Sequence, residues 1–238
     1  MRRENFGFTL AETLITLGII GVIAAITLPP IIANYQKKRV ETQLKSTVSI
    51  ISEVIKFAEL DYGEGFEPVY NSIYVDEDIN GFSWQKGNDF YVKYLKPYTK
   101  VIKEYPKEDA KYFRRYGING GDSTYSKLPT YFVLSNGVCL GLTVRYRGEI
   151  IVSLWLKPGK KMFDGKDDFS FMLTNQGGRY HIDSYVSQYY NQDNRENFKN
   201  WCVSKNTHPV YATSRSDFCT YLLMINNWEF PDDYPIKF

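Results

Sequence analysis

The N-terminal quarter of the chain combines two hydrophobic patterns that one helix can carry. No charged residue interrupts the apolar run from Thr13 to Gln36. A helix rises about 1.5 Å per residue, so residues 13–36 would cross a hydrocarbon layer of about 30 Å. Apolar residues then recur at three- and four-residue steps, which is typical of an amphipathic helix: Val40, Leu44, Val48, Ile51, Val54, Ile55 and Ala58. The two patterns predict one helix over residues 8–61, about 80 Å long, whose first half spans a membrane.

The rest of the chain, residues 62–238, reads as an irregular stretch followed by strands. Asp61-Tyr62-Gly63 ends the helix, and a short helix is predicted over Asp89–Pro97. Alternating apolar runs are separated by glycine-containing turns, which are strong hairpin signals. The predicted strands are Thr130–Ser135, Val138–Tyr146, Glu149–Leu156, Asp168–Leu173 and Arg179–Ser184. The fold class is therefore α+β, with the amphipathic half of the helix packed on an antiparallel β-meander.

Two prolines stand inside the long helical pattern. Pro29 and Pro30 lie within the apolar run. Proline lacks a backbone N–H donor and clashes with the preceding helical turn. We therefore expect an interruption or a kink of the helix at this point.

Composition and charge exclude several classes of protein. A hydrophobic content of 43% and a charged content of 24% are ordinary globular figures, which exclude wholesale disorder and a polytopic membrane protein. The net charge of +2 is too balanced for a fold whose whole surface binds nucleic acid. Neither histidine belongs to an HExxH motif, and no GxSxG or CxxC motif is present. We predict that the chain is not an enzyme.

Glu12 is the residue that a plain membrane anchor does not explain. A carboxylate in a membrane helix costs about 2.5–3.5 kcal/mol unless it is paired. A secretory signal peptide would account for the basic start, but the apolar run is too long and no Ala-x-Ala site follows it. A free α-amino group on Phe8 could pair with Glu12, if the chain were cut between Gly7 and Phe8.

The first residues, MRRENFGFTLAETLI, resemble the class III signal of type IV prepilins and type II secretion pseudopilins. The resemblance implies that residues 1–7 are a leader, which a prepilin peptidase removes after Gly7. The same enzyme is a methyltransferase that would N-methylate Phe8. It also implies that Glu12 is needed for assembly with other pilin or pseudopilin subunits. Pro29 falls where helices of the family usually carry a proline.

The resemblance also implies a location. The family places its leader in the cytoplasm, so the chain would cross the inner membrane once, with residues 62–238 on the extracytoplasmic side. Charge alone does not predict this orientation. The flank before the apolar run carries Arg2 and Arg3, while the flank after it carries Lys37, Lys38 and Arg39.

Two roles follow from the resemblance. The favoured role is a structural subunit of a type IV pilus or a type II secretion pseudopilus. The alternative is a minor or tip pilin whose body binds DNA, a surface or a secreted cargo. The segment Lys111–Tyr116 interleaves basic and aromatic residues, as single-strand DNA-binding surfaces do, but a solvated edge is the favoured interpretation.

The three cysteines allow more than one pairing. An extracytoplasmic body permits disulfides, and a Cys202–Cys219 bridge would fit the C-terminal disulfide loop common in pilins. Cys139 would then be a buried free thiol, while its pairing with either of the others is the alternative. The segment from Cys219 to Pro235 also resembles a group of prepilin-like proteins in which a Cys-Thr pair opens a short helix.

Two acidic segments are weak calcium candidates. Asp76, Asp78 and Asn80 match the opening of a calcium loop, but Gly87 stands where the bidentate glutamate is needed. The second group, Asp164, Asp167 and Asp168, surrounds Gly165, and some pseudopilins hold calcium in such a C-terminal loop. We predict no cofactor and interpret both segments as solvated acidic turns.

Overall fold

A computed structural model gives the architecture. It describes residues 9–64, 82–106, 114–116, 122–124, 130–145, 148–157, 162–163, 165–184, 186, 194–203 and 215–238. The chain divides into two compact units, Met1–Arg39 with Phe238, and Val40–Lys237.

Helix α1 runs from Leu10 to Tyr62 and contains both Pro29 and Pro30. The interruption predicted at the two prolines is therefore wrong. Each proline removes only its own N–H donor, and its fixed φ near −65° suits a helix. The hydrogen bonds of the neighbouring residues can continue the helix past the two missing donors. A kink of the helix axis at this point stays a prediction.

The second half of α1 buries one face, as the sequence predicted. The buried residues recur at helical spacing: Val40, Glu41, Leu44, Thr47, Ile51, Val54, Ile55 and Ala58. Val48 is only half-buried. The stripe also includes two buried polar residues that the sequence did not single out, Glu41 and Thr47. Contacts of α1 with the sheet are polar as well. Thr47 accepts a hydrogen bond from Asn136 Nδ2 at 2.9 Å, and Glu59 accepts one from the Tyr180 N–H at 2.9 Å, which joins α1 to the sheet.

The main sheet is the predicted antiparallel meander with two additional strands. Its strands are β1 (Phe82–Ser83), β2 (Val101–Pro106), β5 (Thr130–Leu134), β6 (Cys139–Arg145), β7 (Ile150–Trp155), β9 (Asp168–Gln176) and β10 (Arg179–Asp183). The order is β10-β9-β7-β6-β5-β2, and β1 pairs with β6. Strands β7 and β9 are buried over most of their length, so both faces of the sheet centre are covered. A second sheet orders β4 (Asp122–Thr124), β3 (Arg114–Tyr116) and β8 (Met162–Phe163).

Helix α2 packs closely against strand β6. It spans Trp84–Phe90 and continues through a π turn, Tyr91–Leu95, and a 3₁₀ turn, Lys96–Tyr98. The sequence predicted a shorter helix, which began at Asp89. A Cβ atom on the buried Gly87 would lie 2.2 Å from the carbonyl oxygen of Leu142 in β6. A residue with a side chain therefore does not fit at this crossing.

Two further helices and the C-terminal segment complete the body. Helices α3 (Arg195–Val203) and α4 (Arg215–Met224) are joined by a disulfide between Cys202 and Cys219. Since α4 begins at Arg215, the expectation that Cys219 opens this helix is wrong.

After α4 the chain returns to α1. The buried Glu41 carboxylate accepts the N–H of Phe230 at 2.9 Å, and Lys45 forms an ion pair with Glu229 at 2.5 Å. These two contacts, which we name the C-terminal clamp, fix the end of the chain to the helix at its beginning.

Candidate assembly site at the N-terminus of helix α1

A reciprocal set of hydrogen bonds closes the first turn of α1. Glu12 Oε2 accepts hydrogen bonds from the Thr9 backbone N–H and from the Thr9 hydroxyl, both at 2.8 Å. In return, Thr9 Oγ1 accepts the Glu12 N–H at 3.3 Å. This is a capping box, in which the residue before the helix and the third helical residue satisfy each other. The Glu12 carboxylate is therefore stabilised within its own chain, at the helix end where the backbone dipole favours a negative charge.

Thr9 is a residue of this site that the sequence analysis missed. The spacing Thr9-Leu10-Ala11-Glu12 is the T-x-x-E signature of a capping box directly before an apolar run. That local signal could have identified Thr9. A partner from another chain accounts for the Glu12 charge but gives Thr9 no role.

The threonine hydroxyl groups of the apolar segment bond to the helix backbone. Thr13 donates to the Leu10 carbonyl at 2.8 Å, Thr16 donates to the Glu12 carbonyl at 2.9 Å, and Thr27 donates to the Ile23 carbonyl at 2.9 Å. A hydroxyl that bonds to the preceding turn needs no water. These threonine side chains are therefore compatible with a lipid environment.

The apolar side chains of the same segment are exposed. Leu10 is 80% exposed and Ile26 is 70% exposed. Helix α1 is long and apolar enough to cross a membrane, and none of its most apolar 18-residue window is buried. A continuous exposed apolar surface of this size calls for lipid or another apolar partner.

Several of the predicted site residues fall outside the described part of the chain. Gly7 and Phe8, the proposed cleavage pair, are among them, so no geometry is given for the cut. The calcium candidates Asp76, Asp78, Asn80 and Asp164 also lie outside it.

The two calcium candidates that are described lie in the body. Asp167 and Asp168 are buried, and Lys157 Nζ lies 2.6 Å from Asp167 Oδ1. Within the described ranges, no group of three or more His, Cys, Asp or Glu residues could hold a metal ion. Of the basic and aromatic segment Lys111–Tyr116, only Arg114–Tyr116 is described, as strand β3.

The cysteines follow the pairing that the resemblance implied. Cys202 and Cys219 form the disulfide, and Cys139 is free and buried in β6. Burial raises the pKa of the Cys139 thiol well above its usual range, because the thiolate would be poorly solvated there. Such a thiol is unreactive, and it is a packing residue.

Comparison with known protein families agrees with this geometry. The prokaryotic N-terminal methylation motif matches residues 2–28, the segment that contains Thr9 and Glu12. That motif, a membrane-capable α1 and an antiparallel sheet support a precursor similar to type IV pilins and pseudopilins. A second family, the family of unknown function DUF6613, matches residues 30–238. Because this match covers most of the chain, the chain belongs to that family. A search of curated proteins and a search of solved structures each gave no match.

Proposed function

We propose that the chain is a structural subunit of a type IV pilus or a type II secretion pseudopilus and is not an enzyme. In this proposal it is cleaved after Gly7, N-methylated on Phe8 and assembled through α1. The supporting observation is an exposed apolar first half of α1 that carries the N-terminal methylation motif. Cleavage before the apolar run, and not after it, keeps that surface in the mature protein.

The proposal gives α1 two successive environments. In the inner membrane, lipid covers the apolar surface, and the Thr9–Glu12 capping box satisfies the carboxylate within one chain. In a filament, the same surface packs against copies of itself. The methylated amine of a neighbouring Phe8 is then the cation that can neutralise Glu12 in an apolar bundle. The partners are the prepilin peptidase, sibling subunits and the lipid bilayer, with residues 62–238 on the extracytoplasmic side.

The mature N-terminus tests the processing step. Mass spectrometry of the protein from cells with a working prepilin peptidase should find N-methylated Phe8 as the first residue. A first residue downstream of Pro30 would show that the apolar helix is removed, and Met1 would show that no processing occurs. Either result would refute the proposal.

A substitution at Glu12 tests the assembly step. Glu12→Ala should leave cleavage intact, because the cut lies outside the capping box, but should reduce the subunit recovered in sheared filaments several-fold. Glu53→Ala is the matched control, since Glu53 is an exposed acid on the same helix and lies outside the apolar run. Normal incorporation of the Glu12 variant would contradict the proposed role.

We also propose that the body needs no calcium. Lys157 already neutralises the buried Asp167 carboxylate, which lowers its value as a calcium ligand. Isothermal titration of the purified chain with calcium should give no heat of binding. A saturable heat with a stoichiometry near one would overturn this expectation.

A further inference from the structure

Three consecutive cations, Lys37, Lys38 and Arg39, directly follow the uncharged half of α1, and the proposed function gives them no role. Helical neighbours differ by about 100° around the axis, so the three side chains leave the helix in three directions. Lys38 and Arg39 are exposed, and Lys37 is half-exposed. We call these three residues the cationic collar.

The position of the collar fits the boundary between lipid and water. The uncharged run from Thr13 to Gln36 is about 35 Å long as a helix, slightly more than the hydrocarbon thickness of about 30 Å. The collar therefore begins where the phosphate layer begins. Lysine and arginine can lay their aliphatic stems along the apolar helix while their charged ends reach that layer.

The positive charge of the collar is unusual for its side of the membrane. Cations close to a membrane span normally stay on the cytoplasmic side. In the proposed topology the collar lies on the opposite side, although the leader carries only Arg2 and Arg3. Lys37 and Arg39 also form no ion pair within the described part of the chain. The charges of Lys37 and Arg39 thus oppose the usual orientation, and an anionic partner outside the chain would explain why they are there.

We propose that the cationic collar binds the phosphate groups of anionic phospholipids in the extracytoplasmic leaflet. This interaction holds the unassembled subunit at a fixed depth in the membrane. The inference rests on the proposed function, because it requires α1 to span the bilayer. Exposed phosphate contacts of lysine and arginine are individually weak, and three of them together should favour an anionic over a zwitterionic lipid by roughly tenfold.

Lipid selectivity in a reconstituted bilayer tests the inference. The full chain is placed in phosphatidylcholine bilayers that contain a trace of spin-labelled phosphatidylglycerol or spin-labelled phosphatidylcholine. The fraction of motionally restricted label gives the relative association constant of each lipid. We expect a preference of roughly tenfold for phosphatidylglycerol in the natural sequence, which falls as salt screens the charges.

Two variants distinguish the effect of the collar on lipid preference from the effect of overall charge. The triple variant Lys37→Gln, Lys38→Gln, Arg39→Gln should abolish the preference. The matched control Lys56→Gln, Lys100→Gln, Lys237→Gln removes the same charge from exposed positions of the body and should retain it.

The outcomes distinguish this inference from the proposed function. An equal association of both lipids with the natural sequence, or an undiminished preference in the collar variant, would overturn the inference and leave the membrane span intact. A chain that did not enter the bilayer at all would overturn the span itself. Formation of the Cys202–Cys219 disulfide in each variant checks that the body has folded.

Discussion

Gly87→Ala is a substitution for which helix propensity predicts a gain in stability and packing predicts a loss. Gly87 lies inside α2, where alanine is favoured over glycine by about 1 kcal/mol. The structure places a new Cβ 2.2 Å from the Leu142 carbonyl oxygen, 2.5 Å from its carbonyl carbon and 2.9 Å from the Thr143 nitrogen. All three are backbone atoms of β6, which lies inside the sheet between β5 and β7. They cannot move aside as the end of a flexible side chain could.

The magnitude follows from these distances. An ordinary contact between a carbon and a carbonyl oxygen is about 3.3 Å, so α2 must move away from β6 by about 1 Å. Overpacking of this kind costs about 1–3 kcal/mol, and the rigid strand backbone favours the upper end. After the gain in helix propensity is subtracted, we expect a net loss of about 2 kcal/mol. For a body of this size the loss lowers the midpoint of thermal unfolding by about 4–8 °C.

Thermal unfolding of the full chain in detergent micelles, followed by near-ultraviolet circular dichroism of the aromatic side chains, measures the effect. Gly21→Ala is the control, because a Cβ at Gly21 in α1 meets no atom within 4 Å. That control should leave the midpoint of the body unchanged. A Gly87→Ala variant that unfolds at the same temperature as the natural sequence, or above it, would refute the close crossing of α2 and β6.

Three further predictions concern the body. The double variant Cys202→Ala, Cys219→Ala should lose about 3 kcal/mol of unfolding free energy in a denaturant titration, because the bridge closes a short loop of the unfolded chain; a loss below about 1 kcal/mol would argue against this entropic account. Cys139 should not react with a thiol reagent in the folded protein and should give one equivalent on unfolding, since burial raises its thiol pKa; rapid labelling of the folded protein would contradict its burial. The hydrogen bond from Arg195 lowers the pKa of Asp233 from 3.8 to about 2. A carboxyl group whose pKa is lowered by folding stabilises the fold at pH values above its pKa in the unfolded chain. Stability should therefore decline as the pH falls from 3.8 to about 2. Asp233→Asn should show a shallower decline, and an unchanged pH profile would contradict that contribution.

The meander was accessible from the sequence because its signals are local. The Asn136-Gly137 and Gly177-Gly178 turns fix two hairpins. All three glycines of these turns have positive φ in the structure, where the turn requires it. The stripe on α1 was equally accessible, since a period of 3.6 residues decides which side chains the helix buries.

The elements that the sequence analysis missed depend on distant contacts. Strand β2 lies in a stretch without a turn signal and exists through its pairing with β5. Gly87 lies in a stretch that the sequence analysis described as irregular, although its role is set by a strand more than 50 residues further along the chain. Helix α3 is short and polar, and its buried residues Phe198 and Cys202 pack in a cluster with Val186 and with residues of α4.

At the N-terminal site, one residue could be predicted from the sequence and its partner was missed. The motif identified Glu12 from sequence because basic leader, glycine, aromatic residue and carboxylate follow at fixed offsets. The partner that the structure gives to Glu12 was also local, but it required reading Thr9 as a helix cap and not as part of the apolar run.

The C-terminal clamp determines how mechanical load would pass through the subunit. Glu41 and Lys45 are separated from Phe230 and Glu229 by 189 and 184 residues, yet they are in direct contact. Tension applied along α1 would therefore reach the end of the chain through a buried hydrogen bond and an ion pair. It would not have to travel first through the strands between them. The two ends of the body would therefore share this load, alongside the contacts that Thr47 and Glu59 of α1 make with the sheet.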